Sequence, residues 1–215
     1  MRTFYDVDGI TIYHADCADV MPLVPPETVD LLLTDPPYGI GWVGPAVRGK
    51  TRGRYNGTRV HGDLDQFDPR SFLRYGRVAM WGADHFSSAL PDGSWLVWDK
   101  TGGGKVKGAL GLGHAELMWH NCGGPVKVYS HLWMGYNRAS EHSTSYHPTQ
   151  KPVSLMRWIV DRWTEPGDLV FDPFMGSGPI ARACLDLGRR YVGVEIVEEY
   201  CQTAVDRLGQ LALRL

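Results

Sequence analysis

Asp35-Pro36-Pro37-Tyr38-Gly39 sets a carboxylate, a stiff backbone and an aromatic ring side by side, directly after the apolar run Val29 to Leu33. The two prolines fix φ and lack N–H donors, so the carbonyls around them point in set directions and find no partner in a helix or ladder. Such a corner suits a planar amine: Asp35 and a proline carbonyl accept its hydrogens while Tyr38 stacks on its ring. The plainer reading of an Asp-Pro pair alone is a β-turn with an acidic start. Far along the chain, Asp172-Pro173-Phe174-Met175-Gly176-Ser177-Gly178 runs from an apolar stretch into a glycine-rich turn, where a backbone without Cβ atoms can approach a nucleoside closely. Glu195 ends the next apolar stretch, 19 residues after Gly176. An acid at about that distance can accept both hydroxyls of a ribose, or simply cap the helix that follows.

The elements that must hold these groups alternate between strand and helix, the pattern of a doubly wound α/β sheet. Gly9 to Ala15 reads as a short strand ending at Asp16, then an apolar helical turn through Val20, Met21 and Leu23 broken by Pro25-Pro26. Val29 to Thr34 reads as a central parallel strand covered on both faces. Two strands thus end in carboxylates, Asp16 and Asp35, and ligands of open α/β sheets bind beyond such ends. A helix is expected around Phe67 to Tyr75, a strand at Arg77 to Trp81, a short helix at His85 to Leu90 and a strand at Ser94 to Trp98. Glu116 to Trp119 and Val126 to Trp133, around Cys122-Gly123-Gly124-Pro125, read as an antiparallel hairpin in which Trp119 and Trp133 serve packing. Proline at the start and the stripe Leu155, Met156, Ile159, Val160 and Trp163 predict a helix from Pro152 to Glu165. A strand over 168–172, a helix through Ile180, Ala183, Cys184 and Leu187 closed by Gly188, a strand over 191–195 and a helix over 198–211 complete the chain.

The Asp35 to Gly39 motif, His147-Pro148-Thr149-Gln150-Lys151-Pro152 and the Asp172 to Gly178 loop together resemble the S-adenosylmethionine-dependent amino-methyltransferases of DNA, the N6-adenine/N4-cytosine family. The resemblance covers nearly the whole chain. With the catalytic motif first and the cofactor loop last, it points to the permuted beta class, in a compact phage-like form. It implies a Rossmann-like α/β fold with a mostly parallel seven-stranded sheet, one antiparallel hairpin and helices on both faces. It also implies that Asp35, Pro36, Pro37 and Tyr38 are catalytic. Asp16, Asp35, Lys151, Asp172, Pro173, Phe174, Gly176, Ser177, Gly178 and Glu195 would hold S-adenosylmethionine, Asp16 near the adenine and Lys151 at the methionine end. Asp16 taken alone reads equally well as a helix N-cap. Pro179 departs from the family, where threonine usually follows the second glycine.

From Ile40 to Gly62 the chain interleaves Gly41, Gly44, Gly49, Gly53 and Gly57 with Arg48, Lys50, Arg52, Arg54 and Arg59 and carries no acid. A flexible basic loop over about 40–66 reads as a flap on the phosphate backbone of DNA, or as a solvated loop. Lys100, Lys105 and Lys107 around three glycines repeat the pattern on a smaller scale. The 215 residues, 43% hydrophobic, suit one methyltransferase domain over 1–215, with a catalytic half to residue 135 and a cofactor half from 136. A net charge of −2 excludes a coat of positive charge but not a local basic patch. Four cysteines without a Cys-x-x-Cys pair suggest neither a metal site nor disulfides. Without an 18-residue apolar run or a signal-peptide core, the chain reads as cytoplasmic, prokaryotic or phage-encoded, with no membrane partner. The activity expected is adenine-N6 methylation of duplex DNA, as in restriction-modification. Cytosine-N4 methylation, methylation of RNA and a silent nucleic-acid-binding subunit are the alternatives. No space remains for a large recognition domain, so weak sequence preference or help from a partner or second protomer, as in a homodimer, is expected.

Overall fold

A computed structural model of the protein describes residues 2–43, 59–104, 113–134, 137–141 and 150–209. The chain opens on a hairpin in which β1 (Arg2–Val7) and β2 (Ile10–His14) pair antiparallel across Asp8-Gly9. Both turn residues have positive φ, 53° and 78°, as a two-residue primed turn requires. The sequence reading finds β2 but not β1, although Asp-Gly is the usual mark of such a hairpin. A four-residue helix α1 (Cys17–Val20) follows, then β3 (Leu31–Thr34), β4 (Val78–Trp81), β5 (Ser94–Asp99), β6 (Ala115–His120) and β7 (Lys127–Ser130). The two-residue strands β8 (Trp133–Met134) and β9 (Asn137–Arg138) pair apart from the main sheet. Last come α2 (Val153–Trp163), β10 (Leu169–Asp172), α3 (Pro179–Leu187), β11 (Arg190–Glu195) and α4 (Glu198–Gly209).

One sheet of nine strands runs in the order β1-β2-β11-β10-β3-β4-β6-β5-β7. Its pairings leave β2, β11, β10, β3, β4, β5 and β7 pointing one way, with only β1 and β6 reversed. β3 sits in the middle and is buried throughout, as its unbroken apolar run predicts. Successive side chains alternate between faces. Leu31 and Leu33 therefore join the core under α2 and α3 with Trp81, Met156, Ile159 and Ile180, while Leu32 joins Val78, Met80, Phe72, Tyr75 and Phe171 on the other side. Trp119 and Trp133 are both buried, as packing residues should be.

Four expectations need correction. The sheet has nine strands among the described residues rather than seven. β6 and β7 do not form a hairpin: β5 lies between them, antiparallel to β6 and parallel to β7. The physical reason is exposure, since β6 ends in buried Met118, Trp119 and His120 and belongs inside the sheet. β7 alternates half-buried and exposed residues around Lys127, which suits an edge. Residues 67–75 form turns rather than a helix, with Phe72 and Leu73 N–H groups both donating to the Pro69 carbonyl. Packing of Phe67 and Phe72 against each other and on Phe86 and Phe174 sets the conformation of this segment. Similarly, the short helix expected near His85 is a 3-10 segment, Ala83–Ala89.

Candidate active site

Parallel strands that end on one edge bring their terminal groups together, and here they open on a cavity of about 770 Å³. Asp35, Pro36, Pro37 and Tyr38 after β3, Trp81 at the end of β4, and Asp172 to Ser177 after β10 all line it. So do Asp16 after β2, Glu195 at the end of β11, and Lys151 just before α2. Tyr38 and Ser177 thus share one cavity, although 139 positions separate them.

The Asp35 carboxylate is the centre of the arrangement. Its Oδ1 accepts from the Tyr38 hydroxyl at 2.5 Å and its Oδ2 from the Lys151 ammonium at 2.6 Å. Lys151, expected at the methionine end of the cofactor, therefore has its charge on the catalytic motif. Burial pushes the Asp35 carboxyl up, with the Lys151 charge pulling against it. The Tyr38 ring stacks on His85, 5.2 Å between centroids at 20°, and its hydroxyl is pushed well up by burial and by Asp35.

Gly82, at φ +65°, makes room for that ring: a Cβ there would lie 2.0 Å from Tyr38 Cε1. Gly82→Ala adds left-handed strain to a steric clash, so a loss of about 2–4 kcal/mol in stability is expected, together with a displaced Tyr38. Chemical denaturation checks this, and a variant as stable as the parent would refute the close approach.

Asp63 is a site residue that sequence reasoning missed. Only 3% exposed, it accepts from the backbone N–H of Gly39 at 2.7 Å and Ile40 at 3.4 Å through Oδ1, and from Trp42 at 2.6 Å through Oδ2. Its carbonyl takes Gly41 N–H at 2.7 Å, and Val43 bridges to Arg59. Asp63 thus closes the neck of the basic segment onto the catalytic motif. Its signal was available, because it is the first acid after the acid-free stretch from Ile40 to Gly62. Arg59 lines the cavity, whereas Arg48, Lys50, Arg52 and Arg54 lie outside the described residues. Lys105 and Lys107 do too. Lys100 donates instead to Glu116 Oε1 at 2.7 Å.

At the other end of the cavity, Glu195 accepts from Gly176 N–H at 2.9 Å and Val197 N–H at 2.8 Å, one bond to each oxygen. Each oxygen keeps an acceptor site for a further donor. Burial pushes this carboxyl up against those bonds. Asp172 is fully buried and accepts from Thr34 at 2.7 Å, Phe174 N–H at 3.2 Å and Tyr191 at 3.0 Å. It ties β10 to β3 and β11, and burial pushes its carboxyl up to about 7. Ser177, 2% exposed, is held from behind by Arg207, which donates to its carbonyl and its Oγ. Asp16 accepts from Ala18 N–H at 2.9 Å and so caps α1 while also lining the cavity. Pro179 begins α3 directly after Gly178, the first-turn place where a missing N–H is harmless.

This architecture is that of known methyltransferases. The structure of M1.HpyAVI in complex with SAM superposes with a TM-score of 0.55 at 23% identity, covering 93% of this chain and 98% of that one. The cytosine-N4-specific PvuII DNA methyltransferase gives 0.59 at 16% identity over 92% and 86%. In sequence, 29% identity relates the chain to the putative methylase YubD of Escherichia coli K12, over 91% of this chain and 88% of that protein. The type II methyltransferase M.HinfI of Haemophilus influenzae is 25% identical over 94% and 68%. Residues 113–206 match the N6/N4 methyltransferase model, described as DNA methylase.

Proposed function

We propose that the protein transfers a methyl group from S-adenosylmethionine to the exocyclic N6 of adenine in duplex DNA, as a permuted, beta-class member of the family. The observation that carries this reading is the shared cavity, in which an amine grip and a nucleoside cradle face each other. The residues fit the cofactor. Glu195 has acceptor capacity left on both oxygens for ribose hydroxyls, Gly176 and Phe174 offer a close backbone and a ring, and Asp16 stands on the same wall.

When bound, S-adenosylmethionine supplies an electrophilic methyl on a sulfonium, whose thioether leaves as a neutral group. The protein then has to align and to activate a poor nucleophile. An exocyclic amine shares its lone pair with its ring. Asp35 and the Pro36 carbonyl accept its hydrogens, favouring a pyramidal nitrogen as charge develops on it. Tyr38 stacks on the base once its hydroxyl leaves Asp35. In duplex DNA the base must leave the stack, at a cost of a few kcal/mol that pocket contacts offset. Arg59 at the cavity wall supports a role for the basic segment on the phosphates, with Arg48, Lys50, Arg52 and Arg54 as its further cations.

Cytosine N4 is the second reading, since the same grip fits either amine and the PvuII enzyme, which shares the fold, acts there. Purified protein, labelled S-adenosylmethionine and unmethylated genomic DNA decide by nucleoside mass spectrometry. N6-methyladenine is expected; N4-methylcytosine would replace adenine as the target, and label in neither base would end the proposal.

A further inference from the structure

Behind Lys151 stands a row of charges that the chemistry above does not use. Glu116 lies near the start of β6. Because β6 runs against its neighbours, its start reaches the edge where the parallel strands end. Its Oε2 is 3.1 Å from the Lys151 ammonium and its Oε1 2.7 Å from that of Lys100, which follows β5. Lys151 in turn meets Asp35 at 2.6 Å and the Tyr38 hydroxyl at 3.2 Å. Lys151 thus donates hydrogen bonds to Asp35 and Tyr38, whereas it meets the buried Glu116 Oε2 as an ion pair without a hydrogen bond; Glu116 Oε1 accepts from Lys100. The row Lys100, Glu116, Lys151, Asp35 alternates in sign and sums to zero. Its side chains are 19%, 27%, 5% and 22% exposed.

We propose that Glu116 is a positioning residue for methyl transfer: anchored by Lys100, it fixes the Lys151 ammonium against Asp35 and so aims the Asp35 carboxylate at the amine. This rests on the reading of the reaction given above. A merely structural role explains the row poorly, because apolar side chains of similar volume commonly stabilise a fold as well as buried ion pairs do. What apolar residues cannot do is hold a carboxylate ionised in one direction.

The arrangement has a signed electrostatic consequence. Burial alone would push the Lys151 ammonium down, but Asp35 and Glu116 together hold it above the usual lysine range. Burial would push Glu116 up, and the two ammonium groups hold it at about 2. With Glu116 neutral, Lys151 keeps one carboxylate against the same burial and must titrate lower. The groups facing this cluster are Asp35 and Tyr38 after β3, Asp84 and His85 beyond β4, Lys100 after β5 and Asp172 at the end of β10. All are kept in Glu116→Gln, and because the Glu116 charge also pushes the Asp35 carboxyl and the Tyr38 hydroxyl up, the Lys151 titration is read directly alongside activity.

The test follows Lys151 Cε by NMR in lysine-labelled protein, alongside kcat against pH and cofactor affinity by calorimetry. In Glu116→Gln, Lys151 is expected to titrate lower by about one pH unit or more. Turnover should fall by about 10- to 100-fold at neutral pH, with little change in cofactor affinity. The kcat profile should also gain a descending limb at the new Lys151 pKa. Glu116→Asp, whose carboxylate is withdrawn but charged, should shift both in the same direction by less, and it serves if the glutamine variant does not fold. An unchanged Lys151 titration overturns the assignment, as does a shifted titration with parental kcat and pH profile. Failure of the parent protein to methylate DNA strikes the reaction itself, which the Lys151 titration tells apart.

Discussion

Asp35→Ala is expected to lower kcat by about a thousandfold or more while leaving S-adenosylmethionine affinity within a few-fold. Removing the carboxylate deletes one of the two acceptors facing the amine, and the Pro36 carbonyl cannot hold two hydrogens in opposed directions. The fold should survive. Lys151 keeps Glu116 at 3.1 Å and the Tyr38 hydroxyl at 3.2 Å, so its charge is not orphaned. The stability cost should then be about 1–3 kcal/mol, below the 3–5 typical when a buried charge loses its only partner. The proposed cofactor contacts from Glu195, at the end of β11, and from Phe174 and Gly176, in the turn after β10, do not pass through Asp35. Calorimetric titration with the cofactor, set beside single-turnover methylation, separates the two effects. Equal loss of binding and turnover would make Asp35 a structural residue.

A second large effect belongs to Asp172, and it depends on pH. Its carboxyl, near 4 in an unfolded chain, is pushed up to about 7 in the fold by burial, despite its three hydrogen-bond donors. A raised carboxyl binds its proton more tightly in the folded state. Its stabilising contribution is complete below about pH 4 and is lost as pH rises through about 7. Across that window the loss runs at about 1.4 kcal/mol per pH unit, about 4 kcal/mol in all. Asp172→Asn keeps an acceptor for Thr34 and Phe174 and offers a donor to Tyr191, without an ionisable group. The stability of the variant relative to the parent should therefore climb between about pH 4 and 7 and level off above. Urea denaturation of both proteins at several pH values measures the difference. A flat difference would mean that Asp172 is ionised throughout.

Much of this was legible in the amino-acid order because local chemistry dictated it. Val29 to Leu33 has no polar side chain except Asp30, which predicts a strand covered on both sides, and β3 is that strand. Asp172-Pro173-Phe174 and Gly176 to Gly178 mark a strand, a turn and a helix start whatever surrounds them. Glu116 is different. Nothing in its neighbours marks it, and its meeting with Lys151 follows from the insertion of β6 between β4 and β5, which the turn at Cys122 to Pro125 does not encode. That turn says the chain reverses, not which strand it finds. The His147 to Pro152 motif marks Lys151, but the partner of its ammonium depends on the same distant placement. Asp63 stands next to an acid-free run, and only the folded neck reveals which N–H groups it collects. Residues 67–75 carry aromatic side chains at spacings compatible with a helix, and tertiary packing of Phe67 and Phe72 on Phe86 and Phe174 sets their conformation instead.

The zero sum of the Lys100, Glu116, Lys151 and Asp35 row bears on how ionic strength acts on the protein. Mobile ions penetrate such a shielded, self-compensated group weakly, whereas cations lying on nucleic-acid phosphates displace condensed counterions, with a slope near −0.9 per phosphate in duplex DNA. Under the reaction proposed above, salt is expected to weaken binding of the polynucleotide and to spare the bond-making step. The slope of the logarithm of the DNA binding constant against log salt then reports the number of phosphate contacts.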